Sequence, residues 1–538
     1  MTTGHRSFRR IRKLLVPLLI FLLKVDHSQG RTIGRRPEGF EALSEHLLDK
    51  SQRIQVSYKS ATTSHINFPR DLDNAEYQSD RIAKEYDPAK FAPIKIKFET
   101  TSFEDTLSKS NKNTKIRGQA ILDKVLPHVL ALWQSTLAVY PTRGFKLPSV
   151  ACGAPEFTIP ETMSNVIYDT DLIVFVGAFD ALFDIKFCNS KDPALSTLAV
   201  SSPCHLDERN RPVIGYVNIC LNVMEIHNGQ VPPKVVESMT DVVVHELGHI
   251  LGVNRIMFKY FVDAETGRPH TPQPFQTALA KCVNGQVDQI MEMPCNNTLV
   301  YHEEHISNGR GAIELRGYYE VVLPNVRQVV RNQFNCSSLS GARMENQPTS
   351  EDCIGSHFDE RFFYSEFMSA IYDEGSAVFS PLTLAFLEDS GFYRVNFRNS
   401  KNSPFGLGAG CDFVLKDCIV NGTIPEYGKG YFCNERHDTN KGGPWACGPS
   451  HNYRGYCDLS TKAWPARTYF EKYVSGFNSN STLLGCWISK LLNLMRLYNM
   501  VKRVLAPQYL HMPITVHLSL WGTCAVMIFL RMHSNQSV

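Results

Sequence analysis

His245, Glu246 and His249, within "HELGHILGVNR", are spaced for metal chemistry. On a helix, positions four apart lie one above the other on a single face. Two imidazoles placed that way can both reach one Zn²⁺ at about 2.0–2.1 Å. A carboxylate next to the first of them stands where a general base for water is needed. The plain alternative is a helix with two surface histidines, because the pattern arises by accident in roughly one chain in thirty of this length. The surrounding residues argue against it. An apolar stripe runs through Val236, Met239, Val243, Leu247, Ile250 and Leu251; Pro232 and Pro233 open the segment and Gly252 closes it.

A catalytic zinc takes three protein ligands. One large class of HExxH enzymes follows the second His with Gly after three residues and a third His after three more. Here Gly252 is in place, but Arg255 occupies the last position. Gly252 lets the helix stop and the chain turn, so the third ligand has to come from further along. The downstream histidines are His270, His302, His305, His357, His437, His451 and three in the C-terminal tail. "YHEEH" around His302, flanked by Asn and Gly, reads as a solvated loop. His357 sits in "IGSHFDERFFYSEFM", and Met368 follows eleven residues later, just before a turn and a helix.

The elements that must carry these residues are legible in outline. Ile94, Ile96 and Phe98 alternate with Lys95 and Lys97, which predicts a half-buried strand. "GQAILDKVLPHVLALWQSTLAVYP" has helical apolar spacing, and "DTDLIVFVGAF" and "RPVIGYVNICLNV" read as strands, the first of them buried. Strands ahead of a long helix predict a mixed unit, fold class α+β, with the HExxH helix across the sheet. Residues 258–356 read as an irregular insertion, "SPLTLAFLEDSGFY" as a short helix ending at Gly391, and residues 401–460 as a Cys-, Gly- and Pro-rich module.

The chain has 538 residues, 43% of them hydrophobic and 20% charged, an ordinary globular composition. A net charge of +3 gives no case for a nucleic-acid partner. A basic stretch followed by the apolar run Leu14 to Leu23 has the layout of a secretory signal peptide. All 15 cysteines fall at or after Cys152 with no CxxC pair, which favours disulfides in an oxidising compartment over cysteine zinc modules. The count is odd, and Cys524 in the apolar tail is the candidate left over. Sequons at Asn296, Asn335, Asn421 and Asn480 are compatible with a glycosylated surface. The expected layout is a signal peptide at 1–30, a pro-region at 31–88, and a catalytic subdomain at 89–257. A central subdomain at 258–400, a cysteine-rich region at 401–486 and a divergent tail at 487–538 complete it. In the tail, "WISKLLNLMRLYNMVKRVLAPQYL" reads as a basic amphipathic helix. Ile514 to Leu530 is a borderline spanning helix, so the tail is a candidate for membrane association.

The set HELGH–Gly252, Gly355-Ser356-His357 and Glu366-Phe367-Met368 resembles the leishmanolysin-like peptidases, the M8 metzincins that include invadolysin. "SPLTLAFLEDSGFYRVNF", "AGCDFVLKDC" and "YFCNERHD" extend the resemblance over roughly residues 90–486. The resemblance implies a metzincin-like fold with one Zn²⁺ held by His245, His249 and His357, and Glu246 as general base. Met368 would form the floor beneath the metal, and Gly252 the turn. It implies a secreted or cell-surface zinc endopeptidase acting on proteins or peptides; the alternative is an adhesion or binding protein that keeps the zinc site with weak turnover. Disulfides Cys152–Cys204, Cys336–Cys411 and Cys433–Cys447 are implied as well, with Cys188–Cys220 as a further pairing. Family pro-regions carry a Cys that caps the zinc; residues 31–151 here contain none, which leaves His65 as a substitute. A peptide substrate is expected to pair along an edge strand beside the helix, and Asp171 to Val176 is the strand proposed for it.

Overall fold

The computed structural model describes residues 87–183, 185–186, 188, 197–281, 289–307, 313–345, 354–369, 377–420 and 423–434, together with the backbone of short strands at 56–58, 445–447, 454–457, 474–475, 489–491, 514–521 and 525–532. The alternating stretch forms β1 (Ile96–Glu99) and leads into α1 (Thr101–Ser108). Next come α2 (Lys112–Ala120) and α3 (Leu126–Thr136), joined through π-helical Ile121–Val125, and the chain then straightens into β2 (Leu137–Val139). The single helix predicted over this stretch is therefore interrupted. Pro127 explains it: it has no N–H to give a carbonyl in the preceding turn.

Three further strands complete the main sheet: β3 (Leu172–Gly177), β4 (Ala199–Leu206) and β5 (Pro212–Ile219). The order is β1-β3-β5-β4, with β1, β3 and β5 parallel and β4 antiparallel to β5. Every residue of β3 is buried, because both of its faces are covered. Leu172, Val174 and Val176 meet the helices, while Ile173 and Phe175 join Phe157, Tyr216 and Phe145 on the opposite face. The strand proposed for substrate pairing is thus interior, flanked by β1 and β5, and has no free edge. The antiparallel edge belongs to β4.

The HExxH helix is α4 (Pro233–Leu251), 19 residues. Its apolar stripe lies on the sheet: a Cβ on Gly215 of β5 would fall 2.5 Å from Ile250 Cγ2, so glycine at 215 lets helix and sheet meet. The region read as irregular contains more order than expected. β6 (Leu299–Ser307) and β7 (Ile313–Val321) pair as a long hairpin, followed by α5 (Pro324–Phe334) and β8 (Ala342–Arg343), which adds to β7. "YHEEH" is therefore strand rather than loop. His302 stacks on the Tyr318 ring at 5.0 Å, and its Nε2 lies 3.1 Å from the buried Glu320 carboxylate. Polar residues concealed the hairpin because cross-strand pairing, not apolar alternation, supports it.

The short helix α6 (Pro381–Asp389) ends beside Gly391 as expected, and β9 (Tyr393–Val395) returns to pair with β2. Cys152–Cys204, Cys188–Cys220 and Cys336–Cys411 are bonded as the resemblance implied. Cys433 is also disulfide-bonded, but the side chain of Cys447 lies outside the described residues. The unpaired thiol among the described residues is Cys295, which the sequence reading did not single out; Cys524 lies outside them. The signal peptide and His65 also lie outside them. In the tail, where helix was expected, the backbone at Ile514–Trp521 and Ala525–Met532 pairs as antiparallel strands. Among the described residues no helix is long and apolar enough to cross a membrane.

Candidate metal centre

The last two turns of α4 carry His245, Glu246 and His249, all buried. The helix stops at Gly252, whose φ of +130° lies in the region that favours glycine. That turn reverses the chain and presents the Val253 carbonyl to His249 Nδ1 at 2.7 Å. At Arg255, where another class of enzyme carries its third His, the backbone N–H donates to Ser356 Oγ at 3.2 Å and so fastens the loop that delivers His357.

His357 arrives from 108 residues beyond His249. Glu345 holds it in place: one carboxylate oxygen accepts from the ring Nδ1 at 2.5 Å and from the N–H groups of Ser356 and His357 at 3.1 Å each. A Cβ on Gly355 would fall 2.0 Å from Glu345 Cγ, which explains the glycine before Ser356. Sequence reasoning missed Glu345. It lies twelve residues before the His it serves, in a stretch with no periodic pattern, and the pairing becomes evident only when Glu345 N–H meets the His357 carbonyl at 2.8 Å.

The third imidazole constraint comes from the turn at Met368. Phe367 presents its carbonyl to His245 Nδ1. Met368 is buried under α4, with its sulfur 2.5 Å from where a Cβ on Gly248 would be, so a side chain at 248 would collide with it. Glu366 anchors this turn. It is buried, and it accepts hydrogen bonds from the Ser380 and Thr383 hydroxyls at the start of α6 and from the backbone N–H groups of Phe367 and Met368.

Burial raises the Glu366 carboxyl from 4.5 to about 7, against the opposing pull of those hydrogen bonds. A folded pKa above the unfolded one means that the stability Glu366 contributes is complete below pH 4.5 and is lost as pH rises toward about 7. Glu366→Gln is expected to flatten that limb. Urea unfolding of metal-free protein at pH 5 and pH 7.5 measures it; equal slopes in variant and wild type would refute the assignment.

All three rings thus give their Nδ1–H to an oxygen acceptor, which leaves each Nε2 with a lone pair. The Nε2 atoms of His245 and His249 are 2.9 Å apart, and those of His249 and His357 are 3.1 Å apart. One donor atom from each of the three histidines lies within 4.8 Å of the others. Lone pairs at this separation repel unless a cation stands among them. Tetrahedral zinc would place such nitrogens about 3.3 Å apart, so the donor set fits that ion. Glu246 flanks the cluster, with one carboxylate oxygen 2.9 Å from Ser201 Oγ.

Two helical imidazoles one turn apart and a third from a remote loop form a three-nitrogen donor set with a glutamate beside it, an arrangement that suits a mononuclear zinc hydrolase. Comparison with known proteins gives the family. The leishmanolysin (peptidase M8) family model matches residues 98–485, and the chain belongs to that family. It is 31% identical over 253 residues to a leishmanolysin-like peptidase of Caenorhabditis elegans, covering 47% of this chain and 35% of the relative. It is 25% identical over 335 residues to the Drosophila melanogaster leishmanolysin-like peptidase, covering 55% of this chain and 47% of the relative. With the leishmanolysin of Leishmania donovani it shares 24% over 328 residues, 60% of this chain and 43% of the relative. The chain spans about a third to a half of the length of these curated relatives.

Proposed function

We propose that this chain is a zinc-dependent metalloendopeptidase of the metzincin type, with His245, His249 and His357 as ligands and Glu246 as general base. The observation that carries the reading is the convergence of three Nε2 atoms whose partner nitrogens are all held by acceptors. When bound, zinc supplies a Lewis acid that polarises a carbonyl and makes water acidic near neutrality. Glu246 takes the proton of the attacking water and passes it to the departing amine. Met368 supports the ligands from below, and Gly252 provides the turn that orients His249.

An extended peptide would lie along β4, the antiparallel edge strand beside α4, by backbone pairing. Paired cysteines support a secreted or cell-surface location, since disulfides persist in oxidising compartments. The domain layout given above is part of this proposal.

The test is cleavage of a denatured protein by purified chain, with zinc counted by elemental analysis. Cleavage is expected to stop with a chelator and return with zinc. Bound zinc is also expected to be lost on acidification, because imidazoles must be neutral to bind it. A zinc-loaded chain that cuts nothing would favour the adhesion or binding reading instead.

A further inference from the structure

Ser201 lies on β4. Its side chain is buried, at 5% exposure, and faces α4. Its hydroxyl oxygen is 2.9 Å from Glu246 Oε2 and 2.8 Å from the main-chain oxygen of the same residue. Both partners are acceptors, so one hydroxyl hydrogen has two destinations on one residue. If Ser201 were only a satisfied strand serine, the carbonyl contact would suffice. The second contact is with the group that the reading above makes the general base.

We infer that Ser201 is a positioning residue for Glu246, its hydroxyl fixing one carboxylate oxygen so that the other serves as the base. The inference rests on the peptidase reading and adds the residue that orients its base. When Glu246 receives the proton of water on its other oxygen, Oε2 remains an acceptor for the serine hydroxyl, and Ser201 keeps its own proton throughout. The strand proposed to bind substrate and the base that acts on it are thereby joined through one side chain.

The test compares Ser201→Thr with Ser201→Val. The two have nearly the same shape and differ in the hydroxyl, and both suit a strand. The measurements are kcat, KM, zinc per chain and the midpoint of thermal unfolding. The expected result is a kcat about tenfold or more lower for Val than for Thr, with KM, zinc content and midpoint matched between them. Equal kcat values overturn the inference. So does a Val variant that loses zinc or stability in step with activity, because that pattern marks a purely structural role. Failure of the peptidase reading is told apart by the unmodified chain: zinc-loaded wild type would then cut nothing.

Discussion

Glu246→Ala is expected to retain one zinc per chain while kcat for peptide hydrolysis falls by about a hundred- to ten-thousandfold. Glu246 lies beside the imidazole cluster but is not one of its three converging donors. Its removal takes away the group proposed to accept the proton of water and leaves the Nε2 triangle intact. His249→Ala and His357→Ala act differently. Each removes one of three donors, so zinc and activity should disappear together. Elemental analysis alongside a cleavage assay separates the two patterns. Zinc lost from Glu246→Ala at folded-protein yield would show that Glu246 belongs to the metal's binding set and not to its chemistry.

The second large effect is expected at Glu345. Removing an acceptor behind a metal-binding histidine weakens metal affinity by about ten- to a hundredfold. Glu345→Ala should fall in that range, because three N–H groups converge on one of its oxygens and all three belong to Ser356 and His357. Without the carboxylate, those donors are left to find water, and the His357 ring is free to rotate. Competition with a chromogenic chelator measures the affinity. Glu345→Gln keeps an acceptor oxygen but not the charge, and should fall between wild type and Glu345→Ala. An alanine variant with wild-type affinity would show that the loop holds His357 without help.

The parts of this protein legible in its sequence are those ruled by local periodicity. The stripe from Val236 to Leu251 needs only 3.6-residue spacing to be recognised, and Gly252 needs only the absence of a side chain. The partnership of His357 with the HExxH pair was visible through resemblance, not through spacing. The lost part is long-range. Nothing near Glu345 announces that it will meet His357, and nothing near Ser201 announces Glu246. The hairpin at 299–321 eluded a reading based on apolar alternation, because residues such as His302 and Glu320 pair with each other across it. Asp171 to Val176 was misassigned for a related reason. A buried strand reads the same whether it lies in the middle of a sheet or at its rim, and only the strand order decides.

The two imidazoles of α4 are steered by peptide oxygens, those of Phe367 and Val253, whereas His357 depends on a side chain. A peptide oxygen is supplied by every amino acid. Positions 367 and 253 can therefore change identity over evolutionary time with no loss of ring orientation, provided the turns keep their path. Position 345 has no such latitude. Among descendants of this chain, a silent loss of metal binding would most readily enter there.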